Sequence, residues 1–217
     1  MKKNILILIL LIQILNVNSQ QWIPDVNKKY SFTSSWHNGY TILAVNDTLY
    51  IGGDFARVSD VNAFDIVRYY NGNWFPLKGG LYGNPNSFLF NNGQLYVAGW
   101  FQWADNKPGT GGLARWDGNN WWPIGANSDC GSCGRTLEYY NGKLFAGGSM
   151  SAVGSIVAFG VTAFDGTNWI NVGNLPSLVS LKSYNNDLLA GYPPDGFIRY
   201  EGGINWSWFP YNSYYSA

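Results

Sequence analysis

Four aspartates are the first candidates for chemistry. Asp54, Asp60, Asp65 and Asp105 all fall in variable, turn-rich stretches that follow short apolar runs. Two carboxylates facing each other across a cleft can hydrolyse a glycosidic bond, at a separation that only the fold sets. His37 is the only histidine. A single imidazole removes multi-histidine metal sites and leaves a Ser-His-Asp triad no second candidate. It lies in the polar stretch SSWHNGY and reads as an exposed loop residue. Cys130 and Cys133 form the motif DCGSCG. A redox CxxC pair opens a helix beside a strand, whereas this pair sits among glycines. It reads as a disulfide closing a very short loop, with an entropic contribution at the low end of the usual range. A metal site would need two further ligands, and there is no second CxxC. No cofactor or metal is expected.

The elements that must position these residues come from a repeat. The stretches DTLYIGGDF, GQLYVAGWF and GKLFAGGSM align without gaps, and NDLLAGYPP is a weaker fourth copy. Their anchoring leucines, Leu49, Leu95, Leu144 and Leu188, are spaced 46, 49 and 44 residues apart. A second landmark, Trp74, Trp121, Trp169 and Trp206, keeps step over the first three copies. Each copy reads as four short strands, with apolar and aromatic runs of four to six residues between turn residues. No segment beyond the N-terminus has a sustained helical period. A period of 40–50 residues with four strands per copy predicts an all-β chain built as propeller blades. The blades are expected at about 40–85, 86–133, 134–177 and 178–213.

The paired glycines Gly52-Gly53 and Gly147-Gly148, followed by Tyr70 or Phe164 and then Trp74 or Trp169, resemble kelch-type propeller repeats. More closely, LYIGGDF followed by RYYNGNW is similar to the repeat of exported bacterial propellers, L-Y-x-G-G-x-F before A-R-W-D-G-x-x-W. Those are often surface or secreted proteins associated with type IX secretion. The resemblance spans about residues 40–210 and departs at Ala98-Gly99 and Ala190-Gly191. It implies a fold rather than an activity, because propellers host enzymes, lectins and scaffolds alike. Galactose oxidase shares the kelch-type fold, but its copper site uses more than one histidine, which this chain lacks.

Within the repeat, Asn71-Gly72, Asp117-Gly118 and Asp165-Gly166 sit between the third and fourth strands. Asn-Gly and Asp-Gly suit hairpin turns whose central residues need positive φ. These read as structural turns flanked by cross-strand aromatic pairs such as Trp116 and Trp121. One carboxylate per turn is a thin ligand set for calcium. Arg68, Arg115 and Arg199 recur near the third strand, where a sialidase-like enzyme would use a guanidinium fork to hold a carboxylate. Ala163 breaks that series, and solvated or turn-paired arginines are the reading preferred here.

The connection GWFQWADNKPGTGG departs most from its counterparts. Trp100 and Trp103 stand where the other full copies have Asp54 and Arg57, or Ser149 and Ala152. Shared architecture does not explain them. With Gln102, Asp105 and Asn106 they form the candidate ligand site, aromatic faces beside hydrogen-bonding groups.

Composition sets the outer bounds. Aromatic residues make up 18% of the 217 and charged residues 12%, with formal net charge zero. Few charges and many aromatics argue against disorder, and no electrostatic footprint for nucleic acid exists. The start, MKKNILILILLIQILNVNSQ, has the layout of a secretory signal peptide over 1–19, with Val17 and Ser19 at the small-residue positions. Its apolar run is short of the roughly 20 residues a membrane span needs. The expected product is a secreted or cell-surface β-propeller domain over 20–217, with no span after cleavage. QWIPDV at 21–26 resembles a fourth strand, so fourth strands outnumber the other kinds. An open or truncated ring follows, with edges free for further blades or self-association. The expected function is a non-catalytic binding or scaffold module for a glycan or a protein. The alternative is a propeller-fold glycan-processing enzyme of glycosidase or sialidase-like type.

Overall fold

The computed structural model describes residues 38–125, 134–175, 178–192 and 196–208. The segment read as a signal peptide, QWIPDV, His37, Cys130 and Cys133 lie outside the described residues. The described chain is all β, with no helix. No helix among these residues is long and apolar enough to cross a membrane.

Four antiparallel sheets follow one another along the chain. The first contains β1 (Asn38–Val45), β2 (Thr48–Asp54), β5 (Ile66–Tyr70) and β6 (Asn73–Pro76), with a small hairpin of β3 (Arg57–Val58) and β4 (Val61–Asn62) in its middle connection. The second contains β7 (Leu81–Asn91), β8 (Gln94–Ala104), β9 (Leu113–Trp116) and β10 (Trp121–Trp122). The third contains β11 (Gly134–Tyr140), β12 (Lys143–Gly148), β15 (Val161–Phe164) and β16 (Trp169–Asn171), with a hairpin of β13 (Ala152–Val153) and β14 (Ile156–Val157). The fourth contains β17 (Ser180–Tyr184), β18 (Asp187–Tyr192), β19 (Gly196–Gly202) and β20 (Asn205–Trp208). Each four-stranded sheet is a simple meander in which sequence neighbours pair.

Local chemistry sets this pattern. The first turn of every sheet places an asparagine in the left-handed region: Asn46 (φ 48°), Asn92 (48°), Asn141 (45°) and Asn185 (47°). Asparagine tolerates that conformation better than most residues, and the tight turn matches strand twist. The leucines Leu95, Leu144 and Leu188 all point into buried clusters. The second sheet begins at Leu81, inside the stretch 40–85 expected for the first blade, because β7 and β8 run farther than their counterparts.

The core lies between consecutive sheets. Tyr50 and Ile66 of the first meet Phe88, Leu95 and Trp121 of the second. Leu113 of the second meets Leu137 and Trp169 of the third. Phe145 and Val161 of the third meet Leu181 and Ile198 of the fourth. Close approach is built in by glycine: a Cβ on Gly52 would lie 2.6 Å from Phe88 Cζ, and one on Gly147 2.4 Å from Leu178 Cδ2.

Two polar ties repeat across these interfaces. The fourth-strand indole N–H donates to a backbone carbonyl just past the fourth strand of the preceding sheet: Trp121 to Leu77 (2.8 Å), Trp169 to Ile124 (2.7 Å) and Trp206 to Val172 (2.7 Å). In the same direction, a first-strand hydroxyl of the earlier sheet accepts a backbone N–H of the next first strand. Ser87 Oγ accepts from Leu137 (3.1 Å), and Thr136 Oγ1 from Leu181 (3.1 Å). These three tryptophans are therefore joints between sheets, each with a satisfied N–H; the ring is buried at Trp121 and Trp169 and partly buried at Trp206.

Candidate functional site

The β7–β8 hairpin carries the most exposed aromatic surface near the expected site. Pairing of Asn84 with Trp100 and of Gly83 with Phe101 sets its faces. Leu81, Phe101 and Ala104 are buried on one side. On the other, Trp100 is 50% and Tyr82 57% exposed. Tyr82 stacks on Trp103 with ring centroids 4.7 Å apart and planes 11° from parallel. Asn84 is half-buried and Gln102 exposed beside these rings. The Arg135 guanidinium of β11 lies 6.0 Å from the Trp100 ring centre, at the outer limit of a cation–π contact.

The hairpin is braced at its bend. A register shift between Leu81 and Gly83 places one more residue on β8 than on β7, a bulge that bends the strand and re-aims side chains. Gly83 occupies that bend at φ 120°, and a Cβ there would lie 2.4 Å from the Trp100 carbonyl oxygen. Past β8, Thr110 Oγ1 accepts the Ala104 N–H (2.9 Å) and donates to the Lys107 carbonyl (2.6 Å).

The five expected residues divide. Trp100, Gln102 and Trp103 contribute to the ledge. Asp105 Oδ1 instead accepts the Gly79 N–H (3.0 Å), tying the loop to the start of its own sheet. Asn106 stands beyond it in the turn, at φ 53°. Tyr82, Asn84 and Arg135 were not among the residues expected from the sequence. The tyrosine in GLYGNP was the available signal.

The other candidates serve the frame. Asp65 Oδ1 accepts the Phe55 N–H (3.1 Å) and Oδ2 the Gly83 N–H (3.0 Å), joining the first two sheets. Burial pushes its carboxyl up to about 6 against the pull of those two amides, and the charge of Asp54 adds to the rise. Asp60 is exposed in the turn between β3 and β4. Among the described residues no three His, Cys, Asp or Glu side chains gather as a metal site would require.

The arginines are engaged locally. Arg115 donates to Gln94 Oε1 (3.0 Å). Arg199 pairs with Glu201 (2.8 Å) and Asp187 (3.8 Å). Arg68 lies over the Phe75 ring.

The turn residues stay between third and fourth strands, in two forms. Asn71 (φ 48°) and Gly72 (φ 77°) make a two-residue loop. Asp117 and Asp165 start longer loops, accepting two amides each: Asp117 Oδ1 from Asn119 (2.8 Å) and Asn120 (2.7 Å), Asp165 Oδ1 from Thr167 (2.8 Å) and Asn168 (2.8 Å). Gly118 and Gly166 follow at φ 101° and 104°.

A concavity lies where the first strands of all four sheets converge. Leu43, Leu89, Glu138 and Lys182 hold matching register positions and line a groove of about 420 Å³. Glu138 is buried there, with Lys182 Nζ at 3.2 Å, the Ser183 N–H at 3.2 Å and the Ser183 hydroxyl also donating to it. That carboxylate is satisfied within the frame.

No protein-family model matches the chain, and no curated protein matches it by sequence. Solved structures do match by fold. The computationally designed Ika8 protein aligns over 77% of this chain and 47% of its own, at 11% identity and a TM-score of 0.53. The extracellular domain of BT4673 from B. thetaiotaomicron aligns over 87% of this chain and 24% of its own, at 13% identity and a TM-score of 0.52. The chain thus spans less than half the length of either. At such identities the likeness concerns the fold alone.

Proposed function

We propose that this protein is an exported, non-catalytic binding module that holds a glycan on the aromatic ledge of its β7–β8 hairpin. The observation that carries this reading is the grouping of Trp100, Tyr82 and Trp103 beside Asn84 and Gln102 on a braced hairpin. Flat aromatic faces cover the apolar faces of sugar rings, and amide groups bond the hydroxyls around them, the usual division of labour in a ligand site. A bent hairpin locked by its bulge avoids an ordering cost on binding. Asp65 and Asp105 use carboxylate oxygens to hold backbone amides, which favours binding over a glycosidase or sialidase-like activity.

In this reading the four sheets are blades of a propeller-type arc, with first strands innermost. The repeated meander, the face-to-face packing in chain order and the shared inner groove support it. Export is supported by the signal-like start and, by fold only, by the extracellular bacterial neighbour. The kelch-like, type IX secretion-associated resemblance agrees with a surface or secreted location.

A glycan array probed with the wild type and with the double variant Trp100→Ala, Trp103→Ala tests the ligand class. Binding by the wild type, lost in a variant with an unchanged circular dichroism spectrum, is expected. A glycan signal that survives the double change moves the site elsewhere. Silence of the wild type across the array favours a protein ligand, for which tryptophan anchors are equally suited.

A further inference from the structure

We propose that the protein associates head to tail with a second copy of itself, the first sheet of one copy docking on the fourth sheet of the next. This goes beyond the ledge and involves the faces of the end sheets rather than their strand edges.

The chain builds one kind of interface three times. Each consecutive pair of sheets joins in the same direction. The later sheet supplies an apolar side chain from its first strand, at the register position held by Phe88, Leu137 and Leu181. All three are buried. The first sheet has Ile42 at that position, and Ile42 is 67% exposed. The earlier sheet supplies a third-strand residue opposite a small second-strand residue: Ile66 opposite Gly52, Leu113 opposite Ala98, Val161 opposite Gly147. All three are fully buried. In the fourth sheet Phe197 stands opposite Gly191, and Phe197 is 62% exposed.

The two halves of one interface are therefore left open at opposite ends of the arc. The polar tie is also in place. Ser180 of the fourth sheet holds the register position of Ser87 and Thr136, whose hydroxyls accept the N–H of the next knob residue. The Ile42 N–H of a second copy is the matching donor. Arg199, on the same face as Phe197, pairs with Glu201 and Asp187, so its guanidinium would not be buried without a counter-charge. Because each end fits only the other, the contact is heterologous, and repetition gives a ring if it closes or a filament if it does not.

Sedimentation velocity on the exported chain and on two single variants, Ile42→Glu and Phe197→Glu, tests this. Both positions are exposed, so each variant should fold, which circular dichroism checks. The wild type is expected to reach at least twice the chain mass as concentration rises. Each variant alone should lose association by more than about tenfold. An equimolar mixture of the two should recover a one-to-one pair, because Phe197→Glu keeps an intact first sheet and Ile42→Glu an intact fourth. A wild type that stays at one chain mass throughout overturns the proposal, whether the arc closes on itself or another segment covers its ends. So does undiminished self-association of either variant, or failure of the mixture to pair when the wild type does.

Discussion

Asp65 stands where glycine precedes the third strand in the next two sheets. Gly112 and Gly160 hold that place with φ near 75°, and Asp65 adopts φ 59°. A side chain is tolerated in this left-handed conformation because its carboxylate captures two backbone amides, that of Phe55 just past β2 and that of Gly83 in β7. Its proton affinity sets a pH dependence. The folded-state value of about 6 lies above the ordinary 3.8. The proton therefore favours the folded state: the contribution is complete below about pH 4 and is lost as pH rises through about 6. Thermal unfolding at about pH 4.5 and 7.5 should show the wild type gaining on Asp65→Asn at the lower pH. A Tm difference that does not change between the two would contradict this. Asp117 and Asp165 behave oppositely. Backbone amides, with the Trp122 indole also donating to Asp117, hold both carboxyls below the usual range. Their contribution is present at neutral pH and lost as pH falls through the depressed values. Asp117→Ala should accordingly lower Tm at neutral pH and have less effect in acid. The sequence identified both aspartates as turn residues, and they are. It read them as hairpin turns with central residues at positive φ; Gly118 and Gly166 adopt it but the aspartates do not, because the extra residues before Trp121 and Trp169 lengthen the loop. Asp65 could not be read from local pattern at all, since one of its partners, Gly83, lies eighteen residues away.

At the scale of elements, the tryptophan joint and the long hairpin give separate tests. Trp121→Phe keeps an aromatic ring between the first two sheets but leaves the Leu77 carbonyl without its donor. A loss of about 1–3 kcal/mol in denaturant unfolding is expected. Unchanged stability would mean that the repeated indole bond adds nothing to sheet packing. Gly83→Ala probes the bulge. Its φ and the close Trp100 carbonyl leave no room for Cβ, so the variant should lose about 1–3 kcal/mol and displace Trp100. A variant of native stability would contradict the bracing described for the ledge. The strands themselves were readable because alternating apolar residues and Asn-Gly turns act locally. The early start of β7 was not. Glycine, asparagine and proline are depleted in strands, and what keeps Gly83, Asn84 and Pro85 in the sheet is tertiary: Pro85 packs on Gly52, and the Asn86 amide donates to the Gly134 carbonyl (2.9 Å).

At the scale of the whole molecule, four copies of one motif fold as four meanders that pack in chain order. Leucine and tryptophan spacings were enough to anticipate the count and the order, because each copy must bury its faces against its neighbours. Exposure of Ile42 and Phe197 needed the structure, since their counterparts are apolar too and only neighbours distinguish a knob in a socket from one in water. The ledge was half legible for a similar reason. Trp100 and Trp103 announced themselves by breaking the repeat, while Tyr82 and Asn84 reach them through a strand pairing that crosses a bulge. The claim that this ledge is the working surface is tested most directly by titration calorimetry with the strongest glycan from the array. Two single variants on the same hairpin and its turn are compared, Trp100→Ala and Asn106→Ala. The account predicts that Trp100→Ala weakens affinity by at least about tenfold, near 1.4 kcal/mol, while Asn106→Ala leaves it within about twofold. Equal affinities for the wild type and Trp100→Ala would contradict it.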